Sequence, residues 1–460
     1  MTITRRELLA QFGRLGLLLG GSAFGELAQA GRIIPWRNWS GAQSCIPLAR
    51  LAPKSEDELA QLIRSSSGPI RAVGSSHSFS PLVPTDGTLV SLAFLRGMLG
   101  HDPEQLQSEF AAGTPMSQMG EPLKQAGLAL PNMADIDYQT LTGAISTATH
   151  GTGIGYGSYS GQVAGLRLLS AQGEIIDCDA QHRPELFNAA RCALGALGII
   201  TRVRLQNRKA FRLREHMWVA RTEDLLDDVH NLVRDNQHWE MQVLTNSDYA
   251  AAISHNETED PATPAKDPGS EGGNDYVKAI EKLDKYGSDW PAARTAILNL
   301  IARTARFEDR VDDSYKIFAN VRNVRFNEME YSVPAEAGPA CLREILKLIR
   351  DKHLPTWFPI EYRYVKGEDI PLSMFEGGAR CAISVHQHYT MDYHNYFAAV
   401  EPIFWKHGGR PHWGKLHSLN FRQLSALYPR LKEFTELRRE LDPRGVFLNA
   451  HLRSLFGVAP

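Results

Sequence analysis

The chain has 460 residues, 43% hydrophobic and 22% charged, a balance that suits a soluble globular protein of two to three domains and excludes a disordered or low-complexity one. A formal net charge of −2 offers no electrostatic footprint for nucleic acid and no polybasic membrane surface, so partners must be sought in pockets. The five cysteines, Cys45, Cys178, Cys192, Cys341 and Cys381, lie far apart without a CxxC pair, which speaks against a zinc site and against a dense disulfide framework.

The first thirty residues, MTITRRELLAQFGRLGLLLGGSAFGELAQA, set Arg5 and Arg6 together before an apolar stretch from about Leu15 to Phe24 and end on Ala28-Gln29-Ala30. Paired arginines, a short apolar run and a small-x-small site make a twin-arginine export signal. The run falls well short of the roughly 20 residues that span a bilayer, and Gly16, Gly20 and Gly21 weaken it as a helix. No stable membrane span is expected, and an amphipathic cytosolic helix would have little but Glu7 and Glu26 for its polar face. Export of folded protein suits a redox cofactor inserted beforehand, and a periplasmic location is expected.

From Gly31 short apolar runs alternate with helical patterns. The spacing predicts a helix over EDELAQLIRSS (56–66), strands over PIRAVG (69–74) and TLVSLAFL (88–95), and a helix over PMSQMGEPLKQAGLAL (115–130), an α+β or α/β block. GQVAGLRLLSAQGEIIDCD (161–179) reads as a hairpin through Gln172-Gly173, followed by a helix over PELFNAARCAL (184–194) and a strand over GIITRVRLQ (198–206). A domain boundary is expected near residue 208. Further on, SHNETEDPATPAKDPGSEGGND (254–275) is rich in Pro, Gly, Ser, Asp and Glu and is expected to be a mobile loop.

Two small-residue loops carry chemistry: GSSHS (74–78), with His77, and TATHGTG (147–153), with His150. No G-x-G-x-x-G fits the second: after Gly151 and Gly153 the required position is Tyr156, and after Gly153 and Gly155 it is Ser158. The dinucleotide fingerprint fails on spacing. Both loops can instead bring backbone N–H groups close to an anion, as phosphate nests do, or simply make turns. Later, PIEYRYVKG puts Glu361, Arg363 and Val365 on one strand face, with Ile360, Tyr362 and Tyr364 on the other. Alone, that pair reads equally as an exposed salt bridge. RCAISVHQHYT places His386 and His388 on one face, but no third ligand stands at motif spacing, so no metal is expected.

In order, NWSGAQSCIP (38–47), RAVGSSHSF (71–79), LPNMADIDYQTLTGAISTATHGTG (130–153), GALGIITRVRL (195–205), EYRYVKGEDIPLS (361–373), HWGKLHS (412–418) and LDPRGVFLN (441–449) resemble the sugar-1,4-lactone oxidases. That family groups L-gulonolactone and D-arabinono-1,4-lactone oxidases with the alditol oxidases, within the vanillyl-alcohol-oxidase flavoproteins. The resemblance spans about residues 36–457. It implies an α+β fold: a bipartite FAD-binding domain (31–207), an antiparallel-sheet cap (208–415), and a C-terminal segment (416–460) returning to the FAD domain.

By resemblance, the cofactor is FAD, held at His77 through a covalent link on its 8α-methyl or, as in some relatives, through a noncovalent loop contact, with Val73, Gly74, Ser75, Ser76, Ser78, Gly143, Ser146, Thr149, His150, Gly151, Thr152, Gly198, Ile199 and Ile200 around it. Glu361 would hold substrate hydroxyls, while Arg363 and Lys415 would steady negative charge on the reduced flavin. The implied reaction removes two electrons from a CH–OH group of a sugar 1,4-lactone, with hydride passing to flavin N5 and oxygen or an electron carrier as final acceptor. An alditol oxidase with the same machinery is the alternative within enzymes, and a non-catalytic flavin- or sugar-binding protein the alternative outside them.

Overall fold

The computed structural model describes residues 34–264, 291–320 and 324–459; the expected export signal (1–30) and the 265–275 part of the expected mobile loop lie outside the described residues. The first helix, Glu56–Ser65, starts where its caps dictate: the Ser55 side chain accepts the Glu58 N–H, and Glu56, Asp57 and Glu58 occupy the first turn, where negative charge meets the positive end of the helix dipole. Its buried face joins Ile70, Val90, Leu169, Ile199 and Phe447 in one cluster. Two sheets and the C-terminal segment therefore share a core.

A parallel three-stranded sheet runs in the order Ala49–Leu51, Thr88–Ser91, Ile70–Val73. The strand expected over 88–95 stops at Ser91, because Leu92 to Leu95 close a turn, with Leu95 N–H on Leu92 C=O at 2.9 Å. The helix expected over 115–130 is divided into a 3₁₀ turn, Met116–Gln118, and a helix, Gly120–Gln125. Gly127, with φ +73°, ends it, and Leu128–Ala129 becomes a strand paired with Arg208–Lys209. The predicted hairpin forms: Val163–Leu169 pairs antiparallel with Ile175–Asp179. Both belong to a five-stranded antiparallel sheet with Ile199–Gln206 at its centre, then Gln107–Ala111 and Met98–Asp102.

Past Gln206 the chain enters an eight-stranded antiparallel sheet, ordered Arg310–Asp313, Arg212–Arg221, Tyr249–Glu257, His238–Val243, Ile360–Val365, Arg380–His388, Phe326–Pro334, Arg410–Pro411. Residues 254–257, expected in a mobile loop, are strand here. His255 pairs with Glu215 on one side and His238 on the other, so ladder bonds on both flanks override a polar composition. Period-two alternation sorts the sheet. Met241, Met329, Tyr331, Tyr362, Ile383 and Val385 are buried, in one cluster with residues of the helices Gly338–Asp351 and His394–Lys406. Gln242, Glu328, Glu330, Glu361, Arg363 and His386 line a cavity on the other face.

Beyond the edge strand Arg410–Pro411 the chain returns to the parallel three-stranded sheet and the loop after it: Phe79 N–H meets Gly414 C=O at 2.7 Å, and Ile70 N–H meets Val446 C=O at 2.7 Å. All five cysteines are free thiols. No helix among the described residues is long and apolar enough to cross a membrane.

Candidate active site

The GSSHS loop follows the strand Ile70–Val73 and is held from the N-terminal side. Trp39 N–H bonds Ser76 C=O at 2.8 Å, Trp36 Nε1 donates to Ser76 Oγ at 2.9 Å, and Asn38 Nδ2 donates to Ser78 C=O at 3.0 Å. Ser76 adopts φ +61°, a left-handed conformation that L-residues enter at a cost and that recurs at functional loops. A Cβ on Gly74 would collide with Thr140 Oγ1, so only glycine lets this loop lie against the Thr140 segment. The His77 ring stacks on Trp39 with centroids 4.6 Å apart. Burial, with the Lys415 ammonium adding to it, brings its pKa down to about 4. The imidazole is neutral near pH 7, with a lone pair for nucleophilic attack.

Facing this loop across a cavity of about 410 Å³ is the polar face of the cap sheet. Antiparallel register sets Gln242 opposite Glu361, Glu361 opposite Ser384, and Ser384 opposite Glu330, a row across four strands. Beside it Glu240 stands opposite Arg363. Arg363 donates through Nε to Glu240 at 2.6 Å and pairs through Nη1 with Glu361 at 2.6 Å, while its buried Nη2 has no partner. Burial alone would lower this guanidinium's pKa; Glu240 and Glu361 outweigh it and hold it charged. The pair read from EYRYVKG is thus a buried salt bridge, with a second carboxylate that the sequence reading did not include.

Lys415 reaches this face because HWGK is tied to the His77 loop: Ser80 Oγ donates to Trp413 C=O at 2.6 Å, and the ammonium lies 5.1 Å from the Phe79 ring centroid. It pairs with Glu328. Burial would raise the Glu328 carboxyl, but Lys415 and His386 bring it well below its ordinary range. His386, against its own burial, is raised by Glu328, and its Nδ1 faces Pro359 C=O at 2.9 Å. Glu330 is likewise held low, His150 and His412 overcoming burial. It accepts from Ser384 Oγ at 2.7 Å and faces His150 Nε2 at 2.7 Å. Burial brings His412 down to about 4.

Among the described residues, two groups gather three potential ligands within 4.8 Å: His150, Glu330 and His412, and Glu328, Glu361 and His386. Their atoms are engaged within the protein: Lys415 sits on Glu328, Arg363 on Glu361, and the Gly414 N–H on His412 Nδ1 at 3.0 Å. Nothing in either donor set requires a metal.

The cavity is lined by Val73, Gly74, Ser75, Ser76, His77 and Ser78, by Gly143, Ser146, Thr149 and His150, by Gly198, Ile199 and Ile200, and by Glu361, Arg363 and Lys415. Gly151 and Thr152 stand outside it. A Cβ on Gly151 would collide with Met133 C=O, and Thr152 Oγ1 donates to Trp239 C=O at 2.5 Å, so both join the loop to its neighbours. His150 lines the cavity with both nitrogens engaged, Nδ1 on Gly151 C=O at 2.8 Å and Nε2 on Glu330. His386 lies at the cavity, whereas His388, one strand repeat on, packs by Trp357 and Thr390. Sequence reasoning missed Glu240, Gln242, Glu328, Glu330 and His412 as cavity-face groups; the available signal was period two in WEMQV and FNEMEYS.

The residues present suit a flavin: two loops of small residues, apolar Ile199 and Ile200, and the buried unpartnered polar atoms Gln139 Oε1 and Arg363 Nη2. Fold and site together define a flavoprotein oxidoreductase of the vanillyl-alcohol-oxidase type. Cholesterol oxidase from Brevibacterium sterolicum has the same fold, with a TM-score of 0.75 over 92% of this chain and 97% of that one at 16% identity.

An FAD binding domain profile matches residues 47–179, and the D-arabinono-1,4-lactone oxidase profile matches residues 203–455. L-gulono-1,4-lactone dehydrogenase of Mycobacterium tuberculosis is 35% identical over 92% of this chain and 99% of its own. L-gulonolactone oxidase of Bos taurus is 28% identical over 92% and 98%. The chain belongs to the sugar-1,4-lactone oxidase family, and its cofactor is FAD.

Proposed function

We propose that this enzyme oxidises the C2 hydroxyl of an aldono-1,4-lactone of the L-gulono or D-arabinono type in the periplasm, the hydroxyl proton leaving to a nearby base or water as the hydride departs. The observation that carries the reading is the row Gln242, Glu361, Ser384, Glu330, hydrogen-bonding groups about 5 Å apart on adjacent strands, of which Gln242, Glu361 and Glu330 line the same cavity as His77. Bound FAD supplies the two-electron acceptor for the substrate hydride. Glu361 accepts the hydrogen bond of the reacting hydroxyl and orients it. Arg363 and Lys415 bring positive charge to the wall where negative charge gathers in the transition state, and that charge is preorganised because each cation is already fixed by carboxylates. His77, neutral at working pH, is the attachment point for a covalent link to the 8α carbon.

Either oxygen or an electron-carrier protein reoxidises the enzyme. Arg5 and Arg6 direct export after folding, and replacing both by lysine should retain flavin-loaded precursor in the cytoplasm. Denatured wild-type protein on a gel should keep flavin fluorescence that His77→Ala loses; a dark wild-type band would overturn the link without touching FAD binding. The function itself is tested by anaerobic bleaching of the flavin across aldono-1,4-lactones, xylitol and sorbitol. Bleaching by lactones is expected, bleaching by polyols alone would make the enzyme an alditol oxidase, and a flavin left yellow by all of them would make it a binding protein.

A further inference from the structure

Gln242 is a polar group of the cap face that the ion pairs described above do not employ. It lines the cavity, and its amide Nε2 is buried without a hydrogen-bond partner. A buried donor left unpaired carries a standing penalty that a ligand oxygen removes. Its neighbours are fixed by register: Glu361 directly opposite on the next strand, and Arg363 two residues further along that strand. The face therefore offers an N–H donor beside a carboxylate acceptor at cross-strand spacing.

We propose that Gln242 is a substrate-binding, specificity-determining residue that donates to the lactone carbonyl oxygen while Glu361 takes the adjacent hydroxyl. This rests on the lactone reading above. An α-hydroxy lactone presents two neighbouring oxygens of unlike character, a carbonyl that only accepts and a hydroxyl that donates, and they match an amide N–H next to a carboxylate. In a vicinal diol the oxygen above Gln242 can accept from this N–H, but as a hydroxyl it also carries a proton that needs an acceptor of its own, which a carbonyl does not. The nearby cations do not duplicate the contact, since Lys415 lies on Glu328 and Arg363 is divided between Glu240 and Glu361, its remaining Nη2 being the donor that suits the flavin. Gln242 thus turns a general hydroxyl-binding face into one that selects lactones over alditols.

The test uses flavin-loaded, full-length protein and two unreactive ligands sharing one ring: a 2-deoxy-aldono-1,4-lactone and the matching 1,4-anhydro-2-deoxyalditol, which lacks only the carbonyl. Binding is read from perturbation of the flavin absorption spectrum. Wild type should prefer the lactone by about tenfold to a hundredfold, and Gln242→Leu should bring the preference within about threefold. A wild type that binds both equally overturns the proposal without any variant. So does a Gln242→Leu protein that keeps the wild-type preference, or one whose free flavin spectrum shifts while the preference stays, since the amide would then serve the cofactor. Should Gln242→Leu not fold, Gln242→Met, of similar length but without the donor, must lose the preference in its place. If no reactive lactone bleaches the wild-type flavin, the lactone reading itself falls and this inference with it; bleaching with preference unaltered overturns the inference alone.

Discussion

Around His77 the cavity is shaped by main chain. Gly74 has no room for a side chain against Thr140, Ser76 takes a left-handed conformation, and Trp36, Asn38 and Trp39 hold the loop through its own backbone and hydroxyl groups. Around Arg363 the backbone is regular strand, and everything specific is carried by side chains in buried pairs. One wall of the site is therefore sensitive to the addition of a single carbon, the other to the removal of a single charge. A cofactor common to a whole family can be met by backbone shape, whereas a substrate must be told from its relatives by charges and hydrogen bonds that side chains place.

The largest expected effect breaks the charged wall. Arg363→Met would leave Glu240 and Glu361 as buried carboxylates without their cation, and removing one partner of a buried pair costs about 3–5 kcal/mol. Denaturant unfolding should register that loss, and a change below about 1 kcal/mol would mean that the pairs are solvated. Next comes the backbone wall: Gly74→Ala should strain the loop by about 1–3 kcal/mol and yield protein with little flavin but normal circular dichroism. Thr140→Ala in the same protein should restore flavin content by removing the clashing hydroxyl, and a fully yellow Gly74→Ala single variant would show that the fit is loose.

The fold as a whole also responds to acid. Burial holds His77, His238, His412 and His451 near pKa 4 and His417 near 3, so in the unfolded state, near 6.5, they bind protons that the folded state refuses. Their contribution to stability is complete above about pH 6.5 and is lost as pH falls toward 4, because the unfolded state takes up the protons first. His386, raised by Glu328, works in the opposite sense but is one group against five. The melting temperature should fall steeply between pH 6.5 and 4, and a flat profile would contradict the burial of these rings. The smallest effect lies in the GTGIGYGSYSG loop. Gly155→Ala meets open space and should stay within about 0.5 kcal/mol of wild type, while Gly157→Ala meets the Glu368 carboxylate that binds Ser158 at 2.7 Å. Equal effects at the two positions would show that this loop does not depend on Glu368.

The same contrast explains what could be read in advance. GSSHS and EYRYVKG were legible because each is local: small residues around a histidine, and two charged groups two apart on a strand. The helix Glu56–Ser65 and the hairpin 163–179 were legible from caps, periodicity and a turn for the same reason. Glu240, Gln242, Glu328 and Glu330 were not, because their place depends on strand order, in which the strand Phe326–Pro334 lies beside Arg380–His388 and His238–Val243 beside Ile360–Val365. Gly151 and Thr152, which the resemblance sets around the cofactor, continue the TATHGTG loop and pack on Met133 and Trp239. Residues 254–257 read as loop from composition, which says nothing of the two strands that flank them.

The most direct test of the central claim, that the cap face and the His77 loop form one lactone-oxidising site, is anaerobic stopped-flow reduction of the bound flavin by an aldono-1,4-lactone in wild type and Lys415→Ala, with circular dichroism and flavin content matched. Lys415 belongs to a chain segment bonded to the His77 loop, yet its ammonium pairs with Glu328 of the cap. Loss of one preorganised charge from a buried site costs about 3 kcal/mol in the transition state. The limiting reduction rate should fall about a hundredfold or more, with a much smaller change in the half-saturating lactone concentration. A folded, fully flavinylated Lys415→Ala enzyme that reduces at the wild-type limiting rate would show that Lys415 and Glu328 form a structural pair, and would contradict the assignment of this face as the active site.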